Sequence, residues 1–232
     1  MKIVSICQPH FIPWFGYFKM INECDKFIFL DNVQYNRRSW QNRVHIRSTF
    51  NSNEKKYLSL SVVNNSRSNN INQIYLMKKN IEQFKNQVKN SYQNTLNFEI
   101  IISFFEKFFE KNICLNLSDF NILLINEICK ILKIDIDYIK LSEMDIKNYR
   151  KQHLILEILQ QEKADIYLSN IGSKNYVHES FFEKHKIKVI YNEFDHPVYD
   201  QNGLKKFIPN LSIIDLLFNS SDPYNFFKYK NI

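Results

Sequence analysis

Glycine is nearly absent from this chain, whose 232 residues contain only Gly16, Gly172 and Gly203. Average usage of about 7% would give about 16 glycines. The sequence has no GxxxxGK[ST] and no GxGxxG segment, which excludes a P-loop and the standard dinucleotide-binding fingerprint. We expect each of the three glycines to mark a position where the backbone requires one.

Long hydrophobic runs and paired cysteines are also missing. The apolar runs, such as 100–102 and 122–125, are far shorter than the roughly 18 residues that a membrane span needs. The opening MKIVSICQPHF lacks the apolar core and cleavage site of a signal peptide, so we expect a cytoplasmic protein without a membrane span. The four Cys have no CxxC spacing and the His residues no HxxxH spacing. We therefore predict buried thiols and no metal site.

Positive charge is in excess, with 31 Lys+Arg against 24 Asp+Glu. Lysine is scattered, as on an ordinary solvated surface, whereas four of the six arginines lie within eleven residues: Arg37, Arg38, Arg43 and Arg47. A guanidinium binds phosphate or carboxylate with two parallel hydrogen bonds, which lysine cannot do. The cluster favours a small anionic partner such as a sugar phosphate. No RNP motif, zinc finger or basic recognition helix is present, so no nucleic-acid partner is expected.

Short apolar segments alternate with amphipathic ones, a pattern typical of buried parallel strands joined by helices. Strands are predicted at 2–7, 26–31, 57–63, 136–141, 165–168 and 188–191, and helices at 14–24, 151–163 and 211–219. Residues 32–47 are predicted to form a long functional loop or short strands. The sequence therefore predicts an α/β fold, with a mostly parallel Rossmann-like sheet flanked by helices, in a single domain over 1–232.

The middle of the chain is predicted to be helical. Segments 73–90, 97–112 and 118–133 carry apolar residues at i, i+3 and i+4, the spacing of an amphipathic helix. Ser118 followed by Asp119 is a suitable N-cap for the third helix. We expect residues 73–133 to form a helical block that is inserted in the α/β core or covers it.

Polar and aromatic residues concentrate where predicted strands end. In open parallel sheets, ligands bind beyond the carboxyl ends of the strands, and segments 8–18, 30–43 and 167–176 all start there, with 193–201 as a fourth wall. We predict that these segments surround one cleft. The predicted catalytic residues are His10, Asp31 and Tyr17; the predicted substrate-binding residues are Gln8, Gln34, Tyr35, Arg38, Trp40, Asn42, Arg43, Ser169, Tyr176, Asp195 and Tyr199.

Each of the main candidates also has a structural explanation. His10 lies between two prolines and is either a general base, because its pKa is near neutrality, or a turn residue. Asp31 either orients His10 or caps the loop that follows it. Trp40 and Tyr35 either stack on a ring of the substrate or belong to the core, and Arg43 is either an anion clamp or a surface ion pair.

Two segments near the N-terminus carry a resemblance to a known family. QPHFIPWFGYF (8–18) and DKFIFLDNVQYNRRSWQNR (25–43) resemble the start of the WbqC-like family; IYLSNIGSKNY (166–176), FDHPVYDQ (194–201) and FIPNLSIIDLLFN (207–219) resemble its later motifs. The chain departs from the family at Asn170, where glycine is more usual, and at the more basic 36–38. Such proteins are encoded among genes for O-antigen and other surface polysaccharides. The resemblance implies a step on a nucleotide-linked sugar or on its acyl or amino-acid decoration.

Three functions follow as hypotheses. The leading one is a transferase that moves an acyl or aminoacyl group onto a nucleotide-linked amino sugar, with His10 as base, Asp31 orienting it, and Arg43 and Arg38 on phosphate. The second is an ATP-dependent ligase, because FIPWFGY (11–17) resembles the FDPxHxGH segment of nucleotidylyltransferases and amide-forming ligases, although both motif histidines are absent. The third is a non-catalytic subunit of a polysaccharide assembly complex. The nucleotide or acyl donor and the oligomeric state stay open.

Overall fold

Short strands and α-helices alternate along the residues that the computed structural model describes, which are 1–63, 68–146, 151–175 and 177–230. The strands are β1 (Ile3–Cys7), β2 (Lys26–Phe29), β3 (Arg43–Arg47), β4 (Lys55–Ser59), β5 (Val62–Val63), β6 (Tyr75–Leu76), β7 (Tyr138–Lys140), β8 (Ile166–Ser169) and β9 (Lys188–Tyr191). The α-helices are α1 (Phe15–Glu23), α2 (Asn80–Tyr92), α3 (Phe98–Asn112), α4 (Leu117–Ile131), α5 (Gln152–Gln161), α6 (Glu179–Glu183) and α7 (Ile213–Asn219). None of these helices combines the length and apolarity that crossing a bilayer requires.

Five of the strands form one parallel sheet in the order β7-β2-β1-β8-β9. The central strand β1 pairs in parallel with β2 on one side and β8 on the other, so that Val4 lies opposite both Lys26 and Tyr167. This order and the flanking helices confirm the predicted α/β, Rossmann-like fold.

The two faces of the sheet pack against different helices because successive side chains of a strand point to opposite faces. Val4, Ile6 and Ile28 pack in one hydrophobic cluster with residues of α5 and α6. Cys7 and Phe29 pack in the other cluster with α1 and with α2–α4. The helical block thus shares its hydrophobic core with one face of the sheet.

The first predicted helix of the block begins too early. Residues 73–79 were expected to be helical, but Ile71–Gln73 forms a 3₁₀ turn and β6 follows it, so that α2 starts at Asn80. Leu76 pairs with Val62 in the antiparallel β5–β6 ladder. Ile74 was counted in the apolar face of the predicted helix, but it has an extended backbone between the 3₁₀ turn and β6 and is fully buried there.

The cap of α4 also differs from the prediction. The Asn116 side chain, and not that of Ser118, accepts a hydrogen bond from the Asp119 backbone N–H at 2.9 Å. Ser118 lies inside the first turn of the helix and is fully buried. An asparagine two residues upstream was an equally good candidate by residue type.

An antiparallel hairpin stands beside the sheet. In β3–β4, Arg43 pairs with Ser59, and His45 pairs with Tyr57. The predicted strand 57–63 is divided between β4 and β5. The ladder with β3 ends at Ser59, and just beyond it the Leu60 backbone N–H donates to Asn42 O at 2.7 Å. Segment 32–47 thus ends in a strand, as one of the two expectations had it.

The end of β3 is joined to α7 by a buried ion pair. Arg47 Nε lies 3.2 Å from Asp215 Oδ1, and both side chains are fully buried. Arg47 Nη1 also donates to Asn202 O at 2.9 Å. Tyr199 Oη and Gln201 Nε2 each donate to Asp215 Oδ2 at 2.8 Å. The pair therefore ties the hairpin, the segment 199–202 and α7 together.

Removing one charge of this pair is expected to destabilise the fold strongly. Asp215→Asn leaves Arg47 buried without a counter-ion, which costs about 3–5 kcal/mol of unfolding free energy. The matched control is Asp137→Asn, which removes the partner of Lys26 from an ion pair whose aspartate is 69% exposed; exposed pairs contribute about 0–1 kcal/mol. Urea unfolding measures both, and equal losses in the two variants would contradict the role given to Arg47–Asp215.

Candidate active site

The sheet has a topological switch point between β1 and β8. From β1 the chain proceeds outward through β2 to β7, whereas β8 is followed by β9 on the other side. In such sheets ligands bind in the crevice outside the carboxyl ends of the two diverging strands. Here the crevice is bordered by segment 8–14 after β1 and by the 3₁₀ turn Ile171–Asn175 after β8.

A cavity of about 420 Å³ opens at this crevice, within the usual range of small-molecule sites. We call it the first cavity. Most of its wall is aromatic or aliphatic, with a few polar groups between. It is lined by Cys7, His10, Phe11, Pro13, Trp14, Gly16, Tyr17, Met20, Trp40, Val44, His45, Lys55, Asn170, Ile171, Gly172, Asn192 and Asn210.

The loop that carries His10 is anchored on both sides of that residue. Tyr17 Oη donates to Gln8 O at 2.8 Å, and Asn121 Nδ2 donates to Pro9 O at 3.0 Å. Beyond His10, the Phe11 backbone N–H donates to the carbonyl of residue 40 at 2.9 Å. The backbone around His10 is therefore fixed by three different parts of the chain.

Ile12, two residues further on, has a φ of +37°, a left-handed conformation that is rare for a β-branched residue. Ser212 Oγ donates to Ile12 O at 2.7 Å, and the Ser212 backbone N–H donates to His45 O at 2.8 Å. Ser212 precedes α7, so the helix that holds Asp215 also holds this strained turn and the hairpin at the cavity wall. Strain of this kind concentrates at functional sites.

The His10 imidazole is partly buried, and burial lowers its pKa to about 4. Its ring centroid lies 5.3 Å from that of Tyr17. No hydrogen bond from the described part of the chain reaches its ring nitrogens. At neutral pH the ring is therefore uncharged, with one nitrogen able to accept a proton and the other able to donate one.

An aromatic and cationic rim lies on the hairpin side of the first cavity. Trp40 and His45 meet edge to face with centroids 5.3 Å apart, and His45 lies 4.3 Å from Tyr57. The Arg43 guanidinium stacks on the Tyr57 ring at 3.9 Å. Lys55 Nζ donates to the carbonyl of residue 209 at 2.7 Å. Exposed aromatic faces beside two cations suit a ligand that carries both a ring and an anionic group.

Asn192, at the end of β9, supplies an acceptor without a partner. Its Nδ2 donates to Gly16 O at 2.8 Å, which fixes the orientation of the amide. Its Oδ1 is buried and has no hydrogen-bond partner among the described residues, although the side chain lines the first cavity. A buried acceptor in this position favours a ligand with a hydroxyl or amine donor.

Gly16 is required by close packing at the start of α1. A Cβ at this position would lie 2.5 Å from the Trp14 ring and 2.9 Å from the Phe194 ring, closer than atoms can approach. Gly203 has a φ of +87°, the left-handed region that favours glycine. Gly172 differs from them: its φ is not left-handed, and an added Cβ would lie 3.2 Å from the end of the Asn170 side chain. The expectation that every glycine is required therefore holds at two of the three positions.

Three of the predicted catalytic and binding residues line the first cavity, namely His10, Tyr17 and Trp40. Gln8 lines a second cavity on the opposite face of the sheet, together with His10. The Tyr17 hydroxyl is bonded to the loop, and burial raises its pKa well above the usual value, so that Tyr17 acts as a positioning residue.

Asp31 is not placed beside His10. Its carboxylate accepts hydrogen bonds from the Ser142 backbone N–H at 2.9 Å and from Ser142 Oγ, and the side chain is 2% exposed. No hydrogen bond joins it to His10 within the described residues. The expected Asp31–His10 pair is replaced by a cap on the 3₁₀ turn Leu141–Glu143.

Most of the other predicted binding residues stabilise the surroundings of the cavity. Ser169 Oγ bonds Ser173 Oγ at 2.6 Å, and Tyr199 binds Asp215. Tyr35 is buried, and Asn42 Nδ2 donates to the carbonyl of residue 60 at 3.1 Å.

The remaining predicted residues that the structure describes lie at the surface. Gln34 forms an isolated bridge with Asn70. Arg43 stacks on Tyr57, while Arg38, with a φ of +56°, and Asp195 are exposed. Tyr176 lies outside the described residues.

Several residues of the cavity wall were not among the predicted site residues. Trp14 and Asn170 belong to segments that were singled out, but neither was assigned a role. His45 and Lys55 face the site because strand alternation and the β3–β4 register put them on the same side of the hairpin as Arg43 and Tyr57. A strand assignment for 43–47 would have predicted this face. Asn192 comes directly after the predicted strand 188–191. The other candidate segments were chosen because they start at the end of a predicted strand, and the same criterion would have included Asn192.

Within residues 1–63, 68–146, 151–175 and 177–230, no group of three His, Cys, Asp or Glu side chains is arranged to hold a metal ion.

The chain is similar to known sequences over nearly its whole length. The sequence model of the WbqC-like protein family matches residues 8–224. The chain is also similar to the uncharacterized protein Rv1507c of Mycobacterium tuberculosis (strain ATCC 25618 / H37Rv), with 28% identity over 221 residues, which cover 94% of each chain. No solved structure matches it. The family match includes the Arg47–Asp215 pair and every residue of the cavity wall except Cys7.

The pH dependence of stability tests the environment of His10. Folding lowers its pKa to about 4 from about 6.5 in an unfolded chain, so its contribution is complete above about pH 6.5 and is lost as the pH falls towards 4. The unfolding free energy of wild type minus that of His10→Gln should fall by about 1.4 kcal/mol for each unit by which the pH is lowered across this window.

Urea titrations at about pH 7, 6 and 5 measure this difference, with His178→Gln on the exposed surface as the matched control. A wild-type to His10→Gln difference that does not change with pH would show that the imidazole is not shielded from water.

Proposed function

The chain belongs to the WbqC-like protein family, and we propose that it is an enzyme of surface-polysaccharide biosynthesis that transfers an acyl or aminoacyl group to the amine of a nucleotide-linked sugar. One observation carries the proposal: a cavity of about 420 Å³ at the switch point of the sheet encloses an uncharged imidazole under a cationic, aromatic rim. The sequence motifs resemble a family whose genes lie among those for surface polysaccharides, and this association supports a sugar substrate.

The first cavity suits a nucleotide-linked amino sugar in three respects. The rings of Trp40 and His45 line the cavity and offer stacking faces for a base or sugar. The Lys55 ammonium and the Arg43 guanidinium lie on the same hairpin and can attract a diphosphate. Deeper in the cavity, Asn192 Oδ1 can accept a hydrogen bond from a sugar hydroxyl or amine.

His10 is the candidate general base. Acyl transfer to an amine requires removal of one proton from the nitrogen as the C–N bond forms, and a neutral imidazole can accept it. A base with a pKa of about 4 is weak in the free protein. A negatively charged substrate nearby stabilises the protonated ring and raises its pKa, so the base would be strongest when the cavity is occupied.

The alternatives receive less support from the same site. A non-catalytic subunit would need only an open polar surface around His10, whereas this residue lines a partly open, mostly apolar cavity of about 420 Å³. An ATP-dependent ligase is suggested by segment 11–17, where Trp14, Phe15 and Tyr17 stand in a stretch without the motif histidines. In that case product formation would require ATP and a free acid.

Loss of the base should lower turnover without unfolding the protein. His10→Gln keeps a polar side chain of similar length but cannot accept a proton, and general-base catalysis is worth roughly 10²–10⁴-fold. Amide formation between acetyl-coenzyme A and UDP-glucosamine, or UDP-, dTDP- and GDP-linked 4-amino sugars, is followed by mass spectrometry. A variant with wild-type turnover would refute the role of His10, and product that forms only with ATP and free acid would favour the ligase.

The rim is expected to govern affinity rather than chemistry. Lys55→Gln should weaken binding of the nucleotide sugar about 5- to 20-fold, because one cation beside the diphosphate is worth about 1–2 kcal/mol. Calorimetric titration measures the dissociation constant. Lys130→Gln on α4 is the matched control, since this lysine is 71% exposed and pairs with its helix neighbour Glu127. Equal affinities of Lys55→Gln and wild type would argue against a diphosphate at the rim.

A further inference from the structure

A second cavity of about 450 Å³ lies against the opposite face of the sheet from the first. Its apolar wall is formed by members of the hydrophobic cluster beneath α5 and α6, whereas the apolar wall of the first cavity belongs to the cluster around α1. It is lined by Ile6, Cys7, Gln8, His10, Leu30, Lys151, Leu154, Ile155, Tyr167 and Asn170.

The two cavities share a wall. Cys7, His10 and Asn170 line both of them, because Cys7 is the last residue of β1 and the other two follow the adjacent ends of β1 and β8. A group in the first cavity and a group in the second can therefore approach the same imidazole from opposite sides. A single-substrate site would use only one of these spaces.

We propose that the second cavity binds the acyl donor, so that the acyl group passes directly from a donor on one face of the sheet to an amine on the other, beside His10. This inference rests on the proposed function. The chemistry of the wall indicates an acyl thioester: Ile6, Leu154 and Ile155 can surround an acyl chain and an alkyl arm. The exposed Lys151 can pair with an anionic group further along the donor.

The transfer balances without a further reactant. The amine nitrogen attacks the thioester carbonyl, the C–N bond forms and the C–S bond breaks. His10 accepts the proton that the nitrogen loses and returns it to the departing thiolate. The products are an amide and a free thiol, and no atom is oxidised or reduced.

Cys7 does not compete as an acyl carrier, although it lines both cavities. Its thiol is buried, and burial raises its pKa to about 12. The nucleophilic thiolate is therefore scarce at neutral pH. With the shared wall lacking an activated nucleophile, both substrates must be bound together, which predicts sequential rather than ping-pong kinetics.

Altering each cavity separately tests this assignment. Leu154→Trp places a larger side chain in the second cavity and should weaken acetyl-coenzyme A binding at least about 10-fold, while the UDP-glucosamine dissociation constant stays within about 2-fold. Trp40→Ala, at the rim of the first cavity, should weaken UDP-glucosamine binding at least about 10-fold, while the acetyl-coenzyme A dissociation constant stays within about 2-fold. Leu96→Trp, in the exposed turn before α3, is the control for adding a tryptophan. Calorimetric titration measures all affinities, and circular dichroism verifies folding; Leu30→Phe replaces Leu154→Trp if the latter does not fold.

The outcomes separate the two proposals. Loss of both ligands in folded Leu154→Trp, unchanged binding of both, or parallel lines in double-reciprocal plots would overturn the two-cavity arrangement. Binding of UDP-glucosamine without acetyl-coenzyme A would also overturn it and would leave the proposed function standing. If wild type binds neither probe nor any 4-amino sugar nucleotide of the panel, the proposed function fails and this inference fails with it.

Discussion

The buried ion pair between Arg47 and Asp215 is the interaction on which the rest of the site depends. Two charges removed from water are costly unless they pair with each other and with hydrogen-bonding groups. Backbone carbonyls of 50 and 202 accept from Arg47, and Tyr199 and Gln201 donate to Asp215. Arg47 Nη2 is buried without a hydrogen-bond partner among the described residues, so the neighbouring Asp215 carboxylate, 3.2 Å from Nε, is the main compensation for that charge. Burial raises the pKa of Asp215, and the adjacent guanidinium acts in the opposite direction. Since Ser212 precedes α7 and bonds both Ile12 and His45, the position of this pair determines the position of two cavity walls.

The same pair explains why several motif residues are not at the cavity. Tyr199 was predicted to bind substrate because segment 193–201 follows a predicted strand as a fourth wall of the cleft, and Asp215 lies in a segment, 207–219, that carries the family resemblance. The structure uses them to surround Arg47, one of the four clustered arginines that indicated an anion site. A single sequence reveals that a polar residue has a special role, but it does not reveal whether its partner is a ligand or another buried side chain.

The sheet and most helices could be predicted closely, because apolar periodicity is a local property. Strand 188–191 was predicted with its observed bounds, and the helix at 14–24 differs from α1 by one residue at each end. The site could be predicted only where it follows strand ends, as at His10. His45 and Lys55 come together through hairpin register, and Asn192 through the parallel pairing of β9 with β8. Such pairings join distant residues, and nothing in the local sequence around Lys55 distinguishes it from the other lysines.

In the proposed function, electrostatics links the rim of the first cavity to the reactivity of His10. Burial keeps the imidazole neutral by lowering its pKa, and this also makes it a weak base. Cations at the rim cannot improve it, since like charge lowers the pKa of histidine further. A bound diphosphate would reverse both effects, because it neutralises Lys55 and Arg43 and adds negative charge on the same side of the ring. Substrate binding and base strength would then rise together, which restricts proton transfer to the occupied enzyme.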